Sequence, residues 1–253
     1  MTKPLQIKQQ SDLVKKSFEK IKAYQSGKLI PLKSGIDHYD DILGGIYPGD
    51  IITIAAPSGV GKTFYLSKLL RNILNPKLNP QELVVLNNSW EMRNLFLVVR
   101  ELAYMMKKTK KSILLDKFTK EEESIANDVY QTLMDKRVFV TETSGNPDQL
   151  YKTITTFLDQ NKGKLAFIDF DHIALIKGKD HKKGNIDRFV DMANEIRKVY
   201  DNVIFAIISQ MNRAIDGRAK EKSNEAMPMR SDLYNTDEIF QLSDIVVALT
   251  NRS

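Results

Sequence analysis

Two periodicities divide the chain. Between Ser11 and Gln25 the apolar side chains Leu13, Val14, Phe18, Ile21 and Tyr24 recur at the steps of one helical face, with Lys15, Lys16, Lys20 and Lys22 mostly opposite. From Leu32 onward the pattern changes to short continuous apolar runs: Ile51–Ala55, Leu83–Leu86, Val138–Val140, Leu165–Ile168, Val203–Ile208 and Ile245–Leu249. Runs that are continuous rather than alternating fit parallel strands covered on both faces. Between them lie stretches with helical spacing near Phe64–Leu74, Leu95–Met106, Lys120–Met134, Asp148–Gln160 and Ile186–Tyr200. This succession predicts an α/β fold, a mostly parallel doubly wound sheet with helices on both faces, preceded by an amphipathic helix. The expected division is a tail and linker helix over residues 1–30 and one domain over 31–253. A lone amphipathic helix must cover its apolar face, and from the pattern alone folding back onto its own core is the favoured outcome.

Composition narrows the chemistry. The 253 residues suffice for a full core, and the absence of cysteine excludes thiolate metal sites, thiol catalysis and disulfides together. A net charge of +6 suits a polyanionic partner, although a lysine-rich soluble surface would give the same balance. Met1 to Gln10 is polar and lysine-bearing, without the apolar stretch of a signal peptide. No apolar run approaches the ~20 residues that span a bilayer, so a cytoplasmic protein without membrane association is expected.

The segment Ile51–Leu70 reads I-I-T-I-A-A-P-S-G-V-G-K-T-F-Y-L-S-K-L-L: a buried strand, a loop of small residues, then an amphipathic helix. That is the context a phosphate-binding loop requires. Backbone amides from Ser58 to Thr63 would curl around phosphates at the helix N-terminus. Lys62 would neutralise phosphate oxygens, and the Thr63 hydroxyl would face magnesium. The expected nucleotide-contacting set is Ala56, Pro57, Ser58, Gly59, Val60, Gly61, Lys62, Thr63 and Phe64. Ala56 stands where the motif normally begins with glycine, a difference of one methyl group at a strand end.

Hydrolysis needs more than a cradle. L-A-F-I-D, Leu165–Asp169, is an apolar strand closing on an aspartate that could hold the magnesium shell; Asp171 is the rival, expected past the strand end. Glu91, in L-V-V-L-N-N-S-W-E-M, follows the second strand and could orient an attacking water, although an acid before a helix also has a purely structural reading. Gln210, in V-I-F-A-I-I-S-Q-M-N-R, leaves a buried strand at the same sheet edge. Two polar segments, Lys177–Asn185 and Arg213–Pro228, also follow strand ends, where open α/β sheets place their ligands.

Taken in order, these segments resemble the C-terminal motor domain of DnaB-type replicative helicases over nearly the whole chain. S-G-I-D-H-Y-D-D-I-L-G-G-I-Y-P-G-D, A-P-S-G-V-G-K-T, S-W-E-M, I-D-F-D-H-I, S-Q-M-N-R and P-M-R-S-D-L-Y-N-T-D-E-I-F-Q-L-S-D-I-V-V each match a stretch of the family pattern. The resemblance implies a RecA-like domain hydrolysing ATP with Mg2+ and translocating on single-stranded DNA as a hexameric ring, with a primase or helicase loader as further partners. It makes Glu91 the catalytic base, Asp169 the magnesium-side carboxylate, Gln210 a γ-phosphate sensor and Arg100 a nucleotide-site residue. It turns the first helix into a joint with the neighbouring subunit. Lys177, Lys179, Lys182 and Lys183 of the first loop, and Arg213, Arg218, Lys220 and Lys222 of the second, become candidates for DNA phosphates. The chain departs from the family where S-D-L-R-E-S-G is replaced by Ser231-Asp232-Leu233-Tyr234-Asn235-Thr236-Asp237, without the arginine. It is also expected to lack the family's collar domain and its C-terminal hairpin with a basic pair. A nucleotide-dependent switch of the recombinase or loader type remains the alternative.

Overall fold

The computed structural model describes residues 9–91, 94–178, 182–211, 229, 232 and 237–250, without the side chains of Asn94, Lys182 and Asp237. The six expected strands form: β1 (Ile51–Ala56), β2 (Leu83–Ser89), β3 (Val138–Thr141), β4 (Leu165–Asp171), β5 (Val203–Gln210) and β6 (Ile245–Ala248). They make one sheet in the order β3-β2-β4-β5-β1-β6, and every pairing is parallel. The helices are α1 (Gln10–Gln25), α2 (Asp37–Leu43), α3 (Lys62–Ile73), α4 (Asn94–Met105), α5 (Lys110–Leu115), α6 (Lys120–Leu133), α7 (Pro147–Gln160), α8 (Lys182–Val199) and α9 (Asp237–Leu242), with a 3-10 turn at Ile173–Leu175.

The sheet divides the core into two layers. On one face Val84, Leu86, Ile168 and Phe205 pack against α7 and α8 through Ile154, Leu158, Phe189 and Ile196. On the other, Ile52, Ile54, Val85 and Phe167 pack under α3 through Leu66, Leu69 and Ile73. Burial of each such side chain stabilises the fold by about 1.5–3 kcal/mol. Phe189, fully buried and edge-on to Phe170 at 4.7 Å, would cost about 3–5 kcal/mol on truncation to alanine. Local signals set the helix starts. Thr119 with Glu122, and Asn146 with Gln149, form reciprocal capping boxes at α6 and α7, and Pro147 occupies the first turn of α7.

Four expectations need correction. Asp171 does not fall past the strand: β4 runs through it, pairing Asp171 with Ser89 of β2. The first polar segment is shorter than expected, because α8 begins at Lys182 and its polar first turn carries no apolar period to reveal it. The short helices α2 and α5 were not foreseen, since seven and six residues span too few turns to display a period. The helix α1 does not fold back onto the core. None of its residues is buried, Phe18 is 60% exposed, and Tyr24 packs edge-on to Tyr47 at 5.4 Å near its end.

Candidate nucleotide site at the carboxyl edge of the sheet

The loop after β1 is shaped by two glycines in the left-handed region, Gly59 at φ 82° and Gly61 at φ 104°. Side chains other than glycine rarely hold that conformation, and Gly61 is also the N-cap of α3. Apart from its chain neighbours, no atom of the described residues lies within 4 Å of where a Gly59 Cβ would point. Ala56 is fully buried as the last residue of β1 and pairs with Gln210, so the missing glycine falls in regular strand where glycine has no advantage. Lys62 reaches back across the loop, its Nζ donating to the Ala56 and Pro57 carbonyls at 2.8 Å each. Burial pushes its pKa down, and the Glu91 and Asp171 carboxylates pull it back up.

Opposite the loop stands Asp171. It is 3% exposed, and Thr63 lies near enough to its carboxylate to favour the charged form. Burial raises its pKa; Thr63, His172 and Arg100 oppose that rise, and Glu91 adds to it. Its Oδ1 is buried without a hydrogen-bond partner among the described residues. Asp169 faces the same side of β4 two residues earlier, level with Asn87 and Ala206. It is fully buried, neither oxygen has a partner among the described residues, and burial followed by Asp171 drives its pKa well above the carboxylate range. The structure therefore brings Asp171, not the expected Asp169, to Thr63.

These groups suit magnesium with a nucleotide. Among the described residues no cluster of three His, Asp or Glu side chains could cage a metal alone. Magnesium takes one or two protein ligands and completes its octahedron with phosphate oxygens and water, as Thr63 beside an underused carboxylate allows. Glu91 follows β2 at the mouth of the site, its side chain 54% exposed and Oε2 3.9 Å from His172 Nε2. Gln210 closes β5 beside Ala56, exposed at the same edge. Arg100 lies half-buried on α4 within electrostatic reach of Asp171. Phe64, in the first turn of α3, packs its ring on Tyr104 of α4 at 4.4 Å and so joins the two helices.

Sequence reading missed the support behind Glu91. Trp90 donates its indole Nε1–H to Thr141 Oγ1 at 3.1 Å, Thr141 donates to Asn88 Oδ1 at 2.6 Å, and Asn88 Nδ2 donates to the Asp169 carbonyl at 2.8 Å. Asn88 and Trp90 are neighbours at the end of β2, but Thr141 and Asp169 are distant in sequence and reach them only through the β3-β2-β4 order, so no local pattern could reveal the chain.

The DNA candidates are only partly placed. Lys177 is exposed, with its backbone N–H bonded to the Gly145 carbonyl at 3.1 Å. Lys183 is exposed on the first turn of α8 and meets Glu238 of α9 at 3.4 Å. Lys179, Arg213, Arg218, Lys220 and Lys222 lie outside the described residues, as does the Lys182 side chain.

Comparison with known proteins agrees with this geometry. The chain is 24% identical over 243 residues to the replicative DNA helicase DnaC of Bacillus subtilis and 23% identical over the same length to the replicative DNA helicase DnaB of Geobacillus stearothermophilus. Each match covers 94% of this chain and 51% of the relative, so the chain spans about half their length. A solved ATPase domain superposes with a TM-score of 0.79 at 19% identity, over 97% of this chain and 84% of that one. A solved DnaB-like replicative helicase, described with its interactions with primase, gives 0.74 at 19% identity over 97% and 57% of the two chains. The fold is thus the RecA-like ATPase fold of such proteins. The sequence pattern of the DnaB-like helicase C terminal domain matches residues 31–253, and the chain belongs to that family.

Proposed function

We propose that this chain is an ATP-hydrolysing, magnesium-dependent motor domain that acts on single-stranded DNA as a ring, as a replicative helicase does. The observation that carries the reading is the convergence of Lys62, Thr63, Asp171, Glu91 and Gln210 on one sheet edge. Bound ATP supplies the phosphoanhydride, and Mg2+ neutralises charge between its terminal phosphates. The amides from Ser58 to Thr63 hold the phosphates, and Lys62 leaves its two carbonyls to pair with their oxygens. Thr63 and Asp171 hold the metal shell, with Asp171 taking the place the sequence suggested for Asp169. Glu91, free to swing at the mouth, accepts a hydrogen bond from the attacking water. Gln210 and Arg100 flank the γ-phosphate side.

The ring is supported by α1. Its exposed Leu13, Val14, Phe18 and Ile21 need a partner surface, and an open apolar groove of Val98, Leu102, Ala126, Tyr130, Leu133 and Met134 lies between α4 and α6. Exposed Glu121, Glu123 and Asp128 on α6 complement the lysines of α1. In this reading α1 of one copy seats in the α4–α6 groove of the next and closes a hexamer around the DNA. Primase-class and loader-class proteins are its further partners. Native mass with ATP, Mg2+ and an oligothymidine tests the assembly. Six copies are expected, with Phe18→Glu leaving monomers; a monomer for the parent chain under all conditions overturns the ring.

A further inference from the structure

Trp90 immediately precedes Glu91 and is held from several sides. Its backbone N–H donates to the Asp171 carbonyl at 3.1 Å, and its ring lies edge-on to Phe170 with centroids 5.9 Å apart. Its indole N–H can only donate, so at 3.1 Å the Thr141 oxygen must accept. The single Thr141 proton then goes to Asn88 Oδ1 at 2.6 Å, which turns the Asn88 amide so that Nδ2 donates to the Asp169 carbonyl at 2.8 Å. Every proton in this chain has one direction, and it ties edge strand β3 to both carboxylate-bearing strands. Asn88 is fully buried, so loss of any partner strands a polar group away from water. Among the described residues the Glu91 side chain has no comparable anchor: it is 54% exposed and its contact with His172 spans 3.9 Å.

We infer that Thr141 and Asn88 are positioning residues for hydrolysis, setting the Glu91 carboxylate through Trp90. The inference rests on the reading of Glu91 as the group that orients water. Polar displacement of about 1 Å at a reacting group can cost roughly 10²-fold in rate. Removing the Thr141 hydroxyl should therefore lower the chemical step and spare nucleotide affinity.

The test uses the whole chain, with single-turnover ATP hydrolysis, ATP affinity and tryptophan fluorescence. The sequence contains one tryptophan, so emission reports on Trp90 alone. Thr141→Val should slow hydrolysis by about tenfold or more while ATP affinity stays within about twofold. Its nucleotide-free emission maximum should move and its acrylamide quenching should increase. Thr141→Ser, which keeps the hydroxyl, should match the parent in both. Should Thr141→Val fold poorly, Trp90→Phe keeps most of the ring and deletes the donor; it should show the same kinetic split, and the double variant should fall no further. An unchanged rate in Thr141→Val, a slowed rate with unaltered fluorescence, or equal slowing in Thr141→Ser each overturn the inference. Glu91→Gln is measured alongside. If it hydrolyses ATP at the parent rate, the role of Glu91 fails and the inference with it; if it is inactive while Thr141→Val is normal, only the inference fails.

Discussion

Thr63 favours the charged form of Asp171, whereas Asp169, two residues earlier on the same face of β4, meets no hydrogen-bond donor among the described residues. The two carboxylates therefore part company. Asp171→Asn should abolish magnesium-dependent tightening of nucleotide binding, and Asp169→Asn should retain it within about threefold, read by titration of a fluorescent nucleotide with and without Mg2+. Because burial raises the Asp171 pKa, protons compete with the metal at higher pH than at an ordinary aspartate. Magnesium affinity should accordingly weaken as pH falls, beginning above the usual carboxylate range. Equal loss in both variants would return the metal to Asp169.

A second pair bears on stability. Arg137 bonds Asp135 at 2.6 Å and donates to the Leu74 carbonyl at 2.6 Å, joining the start of β3 to the end of α3. The Arg137 bond holds the Asp135 pKa below its usual value. A depressed folded pKa contributes stability that is present above the unfolded value and lost as pH falls through the folded one. Both groups are partly exposed, so the contribution should be only about 0.5–1 kcal/mol. Asp135→Asn should lower Tm by roughly 1–4 °C at pH 7, and the two melting curves should converge as pH drops below about 4. A difference that does not shrink as pH falls below about 4 would assign the effect to packing.

The contact between Lys183 and Glu238 bears on DNA. In the proposed role on DNA, the carboxylate at 3.4 Å occupies an ammonium that a phosphate would otherwise take. Glu238→Gln should tighten single-stranded DNA binding and steepen its salt dependence by about 0.7 log unit per log unit of salt, the value for one further phosphate neutralised. Replacing Lys179, Lys182 and Lys183 together by alanine should weaken binding and flatten that slope while ATP affinity holds. Unchanged slopes in both variants would place the DNA path away from α8.

The fold was largely legible because each buried strand is a continuous apolar run and the loop from Ala56 to Thr63 sits between a strand and a helix. The strand ends were less so. Asn87 to Ser89, Phe170 to Asp171 and Ser209 to Gln210 carry three strands beyond their apolar runs, each ending on a polar residue that the hydrophobic pattern leaves out. That shift moved Asp171 into the site. That α1 does not fold back, against the outcome its pattern favoured, was not legible, since an apolar stripe carries no mark of the surface that covers it. Thr141 and Asn88 carry no motif, and the meeting of Thr141 with Asn88 and Trp90 depends wholly on strand order.

The central claim, that one edge of the sheet binds ATP with one set of residues and hydrolyses it with another, is tested most directly by comparing Lys62→Ala with Glu91→Gln. ATP affinity and single-turnover hydrolysis are measured for each in the same buffer. Lys62→Ala should lose nucleotide binding, because the loop's cation is gone. Glu91→Gln should bind ATP within about threefold of the parent and hydrolyse it at least roughly 10²-fold more slowly, in the range expected for loss of a general base. Hydrolysis by Glu91→Gln at the parent rate, or equal loss of affinity in both variants, would contradict the account.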